Sequence, residues 1–533
     1  MQRLIFLYFV VQSFWYVAQE SPFQLLLVPQ DFPELGGLQS YAYGQANGKI
    51  LLIGGRLDGL HRRQPFASFD VAGNNNQLIV FDPVSHQKWS TSLSVLSQEL
   101  QEQLSSTNME FHQSGDYLYV VGGYGYDNAS AARMTFPYLT AIQVPQLINA
   151  ILNNEIITPF IRQVTDQQFA VTGGHLKKIH NTYYLVGGNK FDGNYNPMGN
   201  PTYIQEYTNA IRKFNILDDG TTLQIVHLPS IVDEANLHRR DYNVVAQRFP
   251  NGVTGLTAFS GVFQPNVDLP FLNCVDVDSS GHYVNNNFQQ YYNHYHCAVL
   301  PIFQQTSNQM HTVFFGGIAQ YYDNGGVLVQ DNNVPFVRSI ARVTREPNGT
   351  MGEYLLPIQM PGYMGAGSEF ILNPAVPHDA YEIIELDNIS TDTTLVGYIY
   401  GGIHSSASNI FFVNTGAESI ASNQLINVYL IKNQTMGVDQ LNELSKGKLQ
   451  LQVYPNPNEG EFTIQFNLTK TEPIQVQIHS LDGKELYTKT YDNLPLGLNI
   501  IELNLRKIKK SAAIYVRINS NQGNARQKVI LSE

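Results

Sequence analysis

Gly48-Lys49-Ile50-Leu51-Leu52-Ile53-Gly54-Gly55 reads as a turn, an apolar strand and a paired glycine. The pattern returns in Asp116-Tyr117-Leu118-Tyr119-Val120-Val121-Gly122-Gly123 and in Asn181-Thr182-Tyr183-Tyr184-Leu185-Val186-Gly187-Gly188. Later copies end at Gly316-Gly317 and Gly401-Gly402, and a worn copy, Gly255-Leu256-Thr257-Ala258-Phe259-Ser260-Gly261, lies between. Runs this short, rich in β-branched and aromatic residues, predict strands covered on both faces. A closing glycine pair suits a strand end where backbones approach closely or φ turns positive. Six copies, with markers at 54, 122, 187, 260, 316 and 401, define a repeat architecture.

A second strand follows most of the glycine pairs, as in Asn76-Gln77-Leu78-Ile79-Val80-Phe81-Asp82 and Asn423-Gln424-Leu425-Ile426-Asn427-Val428-Tyr429. A strand ending in Gly-Gly and then a strand of this kind resembles the kelch repeat over roughly residues 22–435. The resemblance implies four-stranded blades around an axis, an all-β, six-bladed β-propeller over residues 19–435. The repeats are longer than the kelch norm of about 50 residues, so the blades must carry long loops. Phe23-Gln24-Leu25-Leu26-Leu27-Val28-Pro29 parallels Leu223-Gln224-Ile225-Val226-His227-Leu228-Pro229, which closes the third unit. The last unit lacks such a strand. The N-terminal strand is therefore expected to complete the last blade and close the ring, removing an exposed edge.

The chain of 533 residues is long for one domain. Charged residues make up 14% and aromatics 11%, with 42 Gly, a balance that suits tight turns and excludes global disorder. The net charge of −12 is uneven: residues 449–533 carry 10 Lys and Arg against 8 Asp and Glu, leaving −14 for the rest. An acidic body repels phosphate backbones, so no nucleic-acid partner is expected.

At the N-terminus, Arg3 and the apolar run from Leu4 to Val17 with Ala18 predict a secretory signal peptide over residues 1–18. The run is short for a membrane span. Residues 436–448 read as a linker. Beyond it, alternating strands with Asn-Pro and Asp-Gly turns indicate a small C-terminal β-sandwich. Tyr454-Pro455-Asn456-Pro457, Asp482-Gly483-Lys484 and Tyr515-Val516-Arg517-Ile518 closely resemble the type A sorting domain of the type IX secretion system, a family of Bacteroidetes bacteria. The resemblance covers residues 449–533. It departs from the family pattern at Ala512-Ala513, where a glycine is usual. It implies export to the cell surface or beyond, with the type IX secretion machinery as a partner.

In a propeller, the loop after Gly-Gly shares a face with the loop entering the innermost strand. That face should gather Tyr124, Tyr126, Tyr322 and the residues at the inner-strand entrances. Those are His112, His175, Arg239, Arg240, Asp241, Tyr242, His296 and Glu369, the candidate ligand-binding set. Aromatic faces beside Arg and carboxylate groups suit a glycan or a protein ligand, since one stacks while the other forms directed hydrogen bonds. For each residue, ordinary loop packing or an ion pair between blades is the alternative. Cys274 and Cys297 are candidates for a disulfide, with two buried free thiols as the alternative. No catalytic motif, metal site or cofactor is expected. The expected function is ligand binding outside the cell. A carbohydrate-active enzyme of oxidase or epimerase type, with its site at the axial mouth, is the other reading.

Overall fold

The computed structural model describes residues 21–63, 67–196 and 202–432, and most of 451–531. The expected signal peptide and linker lie outside the described residues. The chain forms two compact units, Met1–Asn433 and Gln434–Glu533.

Among the described residues, the first unit holds six large sheets, five of four antiparallel strands and one of five, with smaller two- and three-stranded sheets beside them; the first four large sheets are each drawn from one stretch of chain. Sheets I to VI begin at Ala42–Ala46, Glu110–Ser114, His175–Ile179, Asn243–Arg248, Ala298–Gln304 and Ser368–Leu372. Sheet V carries a fifth strand, Ile384–Glu385, in parallel pairing with Ile302 and Phe303. Sheet VI takes its fourth strand from the other end of the chain: Phe23 stands opposite Lys432 and Gln30 opposite Leu425. The first strands of successive sheets lie against one another from I to VI. Sheet VI meets sheet I again, where the Tyr43 hydroxyl donates to the Phe370 carbonyl at 3.0 Å.

The glycine pairs explain themselves at the sheet junctions. Each first member, at the end of the second strand, has positive φ: 62° at Gly54, 65° at Gly122, 57° at Gly187, 64° at Gly316 and 71° at Gly401. The second member's amide donates to the entry loop of the next sheet: Gly55 to Ser106, Gly123 to Val171, Gly188 to Arg239, Gly317 to Met364 and Gly402 to Leu38, at 2.7–2.9 Å. A side chain on the first glycine would strike that loop, and a Cβ on Gly122 would lie 1.9 Å from the Val171 carbonyl oxygen. The worn copy keeps the backbone, since Ser260 has φ of 50°. Its neighbour Gly261 packs against Tyr242 and Arg239, and the Ser260 hydroxyl donates to the Phe271 carbonyl at 2.6 Å.

Cys274 and Cys297 are both free and buried, so the candidate disulfide is not formed. Cys274 opens the third strand of sheet IV opposite Phe259. Cys297 instead precedes sheet V, with its sulfur 3.8 Å from the Asn243 amide nitrogen. Burial pushes both thiols up to about 12, leaving them protonated and inert.

The second unit holds two sheets, one of Gln452–Tyr454, Glu461–Leu468 and Gly497–Asn504, the other centred on Glu472–Ser480 and Ala513–Ser520. Ile474, Val476 and Ile478 alternate inward along one strand and share a core with Phe462, Ile464 and Phe466 of the other sheet.

Candidate functional site

The residue two or one before each first strand lies in its entry loop, and these six residues are joined to one another. Ser40 N–H donates to Gly367, Gly367 to His296, His296 to Asp241, Asp241 to Gly173, Gly173 to Asn108, and Asn108 back to Ser40. All six bonds are 2.8–3.2 Å, and they form a closed ring of backbone hydrogen bonds. Five of the six residues have positive φ, between 48° and 70°, which turns each entry loop sharply into its strand.

The ring separates two cavities. On the side of the glycine-pair loops lies a vestibule of about 380 Å³, reached by Arg63, Tyr124, Tyr195, Arg240, Phe263 and Phe412, among others. On the other side lies a chamber of about 340 Å³ among the first strands, lined by Tyr43, Glu110, His112, His175, Lys177 and Glu369, among others. Ser40, Asn108, Gly173, Asp241 and His296 line both.

In the vestibule, the Arg240 guanidinium lies 5.4 Å from the centre of the Phe263 ring. Its Nε donates to the Tyr207 hydroxyl at 3.0 Å and its Nη1 pairs with Asp241 Oδ2. Arg240 Nη2 and Asp241 Oδ1 make no hydrogen bond among the described residues, which leaves a donor and an acceptor side by side. His61 packs edge-on to Tyr195, with 4.4 Å between ring centres and 60° between the rings. Burial lowers its pKa to about 4.

In the chamber, two histidines face each other with ring centres 5.1 Å apart. His175 Nε2 must donate to the Tyr242 carbonyl at 2.5 Å, because a carbonyl only accepts; burial then holds the ring neutral, with Nδ1 unprotonated. His296 Nε2 lies 2.9 Å from Glu369 Oε1. Burial works against its charge, but the Glu369 charge and hydrogen bond prevail and raise its pKa. Glu110 is buried, pushed well up by desolvation, and accepts the Gly174 amide at 2.8 Å.

Of the residues expected at the mouth, Tyr124, Arg240, Asp241 and His296 line the vestibule, while His112, His175, Asp241, His296 and Glu369 line the chamber. Arg239 and Tyr242 do not belong with them. Arg239 is 1% exposed and donates to the carbonyls of Asn236, Ser260 and Asn273 and to Asn273 Oδ1, flat against Phe271 at 4.0 Å. The Tyr242 hydroxyl donates to the Val186 carbonyl at 2.8 Å. Both tie sheets and loops together. Tyr126 and Tyr322 stand on hairpins, Tyr124–Asp127 and Tyr321–Asn324, and line neither cavity. The aromatic wall contributed by Phe263, Phe411 and Phe412 has no counterpart among the residues expected from the sequence. In the chamber, the polar alternation Glu110/His112 and His175/Lys177 was a usable signal, since alternate residues of a strand share a face.

The buried histidines make one expected result plain. Burial lowers the pKa of His112 and His311 to about 3 and that of His294 to about 4. Between the unfolded value of about 6.5 and these values, the unfolded chain binds more protons than the folded one. The histidines' share of stability is therefore whole above about pH 6.5 and is lost as the pH drops towards 4, by several kcal/mol in sum at about 1.4 kcal/mol per pK unit. Buried Glu110 and Glu353, whose pKa desolvation raises, slope the other way, so urea midpoints of His311→Gln are compared with those of the intact chain across that range; an unchanged pH slope would contradict the burial.

Residues 452–532 match the family described as the secretion system C-terminal sorting domain. This domain is a type IX secretion sorting signal; it directs the chain to the cell surface or the extracellular space and engages the type IX machinery. Among the described residues, no helix is long and apolar enough to cross a membrane. No curated protein matches the chain. Among solved structures it is similar to "Structure of YjhT", at 11% identity, over 74% of this chain and 97% of that one, with a TM-score of 0.41. It is also similar to a chain of "Cryo-EM structure of RAG in complex with one melted RSS and one unmelted RSS", at 12% identity, over 76% and 99%, with a TM-score of 0.36. TM-scores of this size do not define a shared fold.

Proposed function

We propose that the first unit is a six-bladed propeller of kelch type, and that it binds a glycan in the vestibule once outside the cell. The repeated strand–Gly-Gly junctions, the ring at the axis and the closure of sheet VI by the N-terminal strand support the propeller. The observation that carries the binding reading is a donor and an acceptor, Arg240 Nη2 and Asp241 Oδ1, that make no hydrogen bond among the described residues and share one cavity with Tyr195, Phe263 and Tyr295. Sugar rings offer hydroxyls that both donate and accept, and apolar faces that stack on aromatics.

A glycan array probed with the full chain tests this. Arg240→Ala is expected to weaken binding about tenfold or more, because charge-assisted hydrogen bonds contribute about 1.5–3 kcal/mol. Tyr195→Ala, which removes a stacking face, should weaken the same glycan class. Saturable binding untouched by either change would place the ligand elsewhere. Binding to a protein and to no glycan would overturn the saccharide reading.

A further inference from the structure

We propose, resting on the glycan reading above, that the vestibule is a blind pit that accepts the end of a saccharide chain and not its interior. Its wall draws on all six sheets. The loop after the glycine pair of each sheet, I to VI in order, contributes Leu60, Tyr124, Tyr195, Phe263, Ile318 and Ile403 to the same cavity. A groove for the middle of a polymer needs two opposite gaps for the chain to enter and leave, and here, among the described residues, all six sheets contribute to the wall.

The floor is closed as well. Hydrogen-bonded backbones lie about 4.8 Å apart, so six in a ring stand about 4.8 Å from its axis and leave about 3 Å of free radius. Water passes such an opening; a pyranose ring bearing its hydroxyls does not.

Threading through the chamber is blocked a second time at its far end. The segment between the first two strands of sheet VI crosses there, placing His378, Tyr381 and Glu382 in the chamber lining. It is pinned by Arg248 Nη2 to Asp379 Oδ2 at 2.6 Å and by the pairing of Ile384 with Ile302. Asp379 Oδ1 also accepts the amides of Tyr381 at 2.9 Å and Ile383 at 3.1 Å, which fixes the turn. A polymer can therefore offer only its terminal units.

The test is a depletion assay of the full chain on xylan, pectin, alginate and laminarin, each intact and after partial acid hydrolysis, with chain ends counted chemically. For a polymer that binds, the amount of protein bound per gram at saturation should rise in proportion to the number of chain ends. A capacity that stays constant per gram as ends multiply would overturn the pit and leave the glycan reading standing. Failure to bind any polymer, cut or intact, together with an empty glycan array, would overturn the glycan reading and this inference with it.

Discussion

Deletion of residues 21–30 is expected to abolish the cooperative unfolding of the first unit. These residues supply the fourth strand of sheet VI, paired from Phe23–Lys432 to Gln30–Leu425. Phe23 and Leu25 are buried in one core with Leu300 and Val313 of sheet V and with Val428 and Leu430 of their own sheet. Burying two such side chains is worth about 1.5–3 kcal/mol each, before any hydrogen bond is counted. The loss goes further. Arg342 is 1% exposed, its Nη1 donates to Ser21 Oγ at 2.6 Å, and its guanidinium faces the Phe23 ring. Removing that acceptor leaves a buried guanidinium donor without its hydrogen bond, which costs about 1.5–3 kcal/mol. Together these losses rival the roughly 5–15 kcal/mol that typically holds a domain folded. The deletion also opens the edge of Leu425–Lys432 to pairing with other chains. Thermal melts with size-exclusion chromatography should show a broad transition and aggregates, and Phe23→Ala alone should cost about 3–5 kcal/mol. A deleted chain that melts as sharply and as high as the intact one would contradict the closure.

Gly122→Ala is the single substitution expected to cost most for one added methyl group. A non-glycine residue at φ of 65° costs about 1–2 kcal/mol by itself. The larger part comes from the junction, because the Cβ would sit 1.9 Å from the Val171 carbonyl oxygen that accepts the Gly123 amide. Backbone must move there, and the bond between sheets II and III is lost with it. Gly115→Ala supplies the control: its φ is 60°, but nothing lies within 4 Å of its Cβ position. The two variants share the conformational cost, so their difference measures the junction alone, and we expect at least about 2 kcal/mol by urea unfolding, in the range of overpacking. Equal destabilisation would mean that the loop of sheet III yields freely.

The same contrast shows why the repeat could be read along the chain. A glycine pair after an apolar strand marks a place where positive φ and a foreign carbonyl meet, and few other contexts demand both. In the worn copy Ser260 takes the place of the first glycine, and the backbone there holds a φ of 50°. The N-terminal strand was equally legible, because its alternation matches Leu223–Val232, the outer strand of sheet III.

The candidate site divided differently. Residue type and nearness to the inner strands correctly drew attention to Arg240, Asp241 and His296, which line the vestibule. The same criteria selected Arg239 and Tyr242, whose side chains turn away into the sheet junctions. Adjacent residues at a chain reversal share composition but not direction. Asp241 has φ of 48°, and that single left-handed residue aims Arg240 at the cavity side while Arg239 and Tyr242 pack inward. Phe411 and Phe412 lay beyond any local reading, since they join the vestibule only where sheet VI comes round to meet sheet I.

The sequence by itself determined the β character, the six repeated units, the strand that closes the last of them and the export signal at the C-terminus. Each of these is written in local periodicity or in a short motif, and such signals depend on neighbours a few residues away. Only the tertiary structure decided that six entry loops would bond into a ring, that the ring would part a vestibule from a chamber, and that the two cysteines would stay apart. Those outcomes depend on which residues from distant sheets come within hydrogen-bond reach of one another, and proximity of that kind is set by packing around the axis.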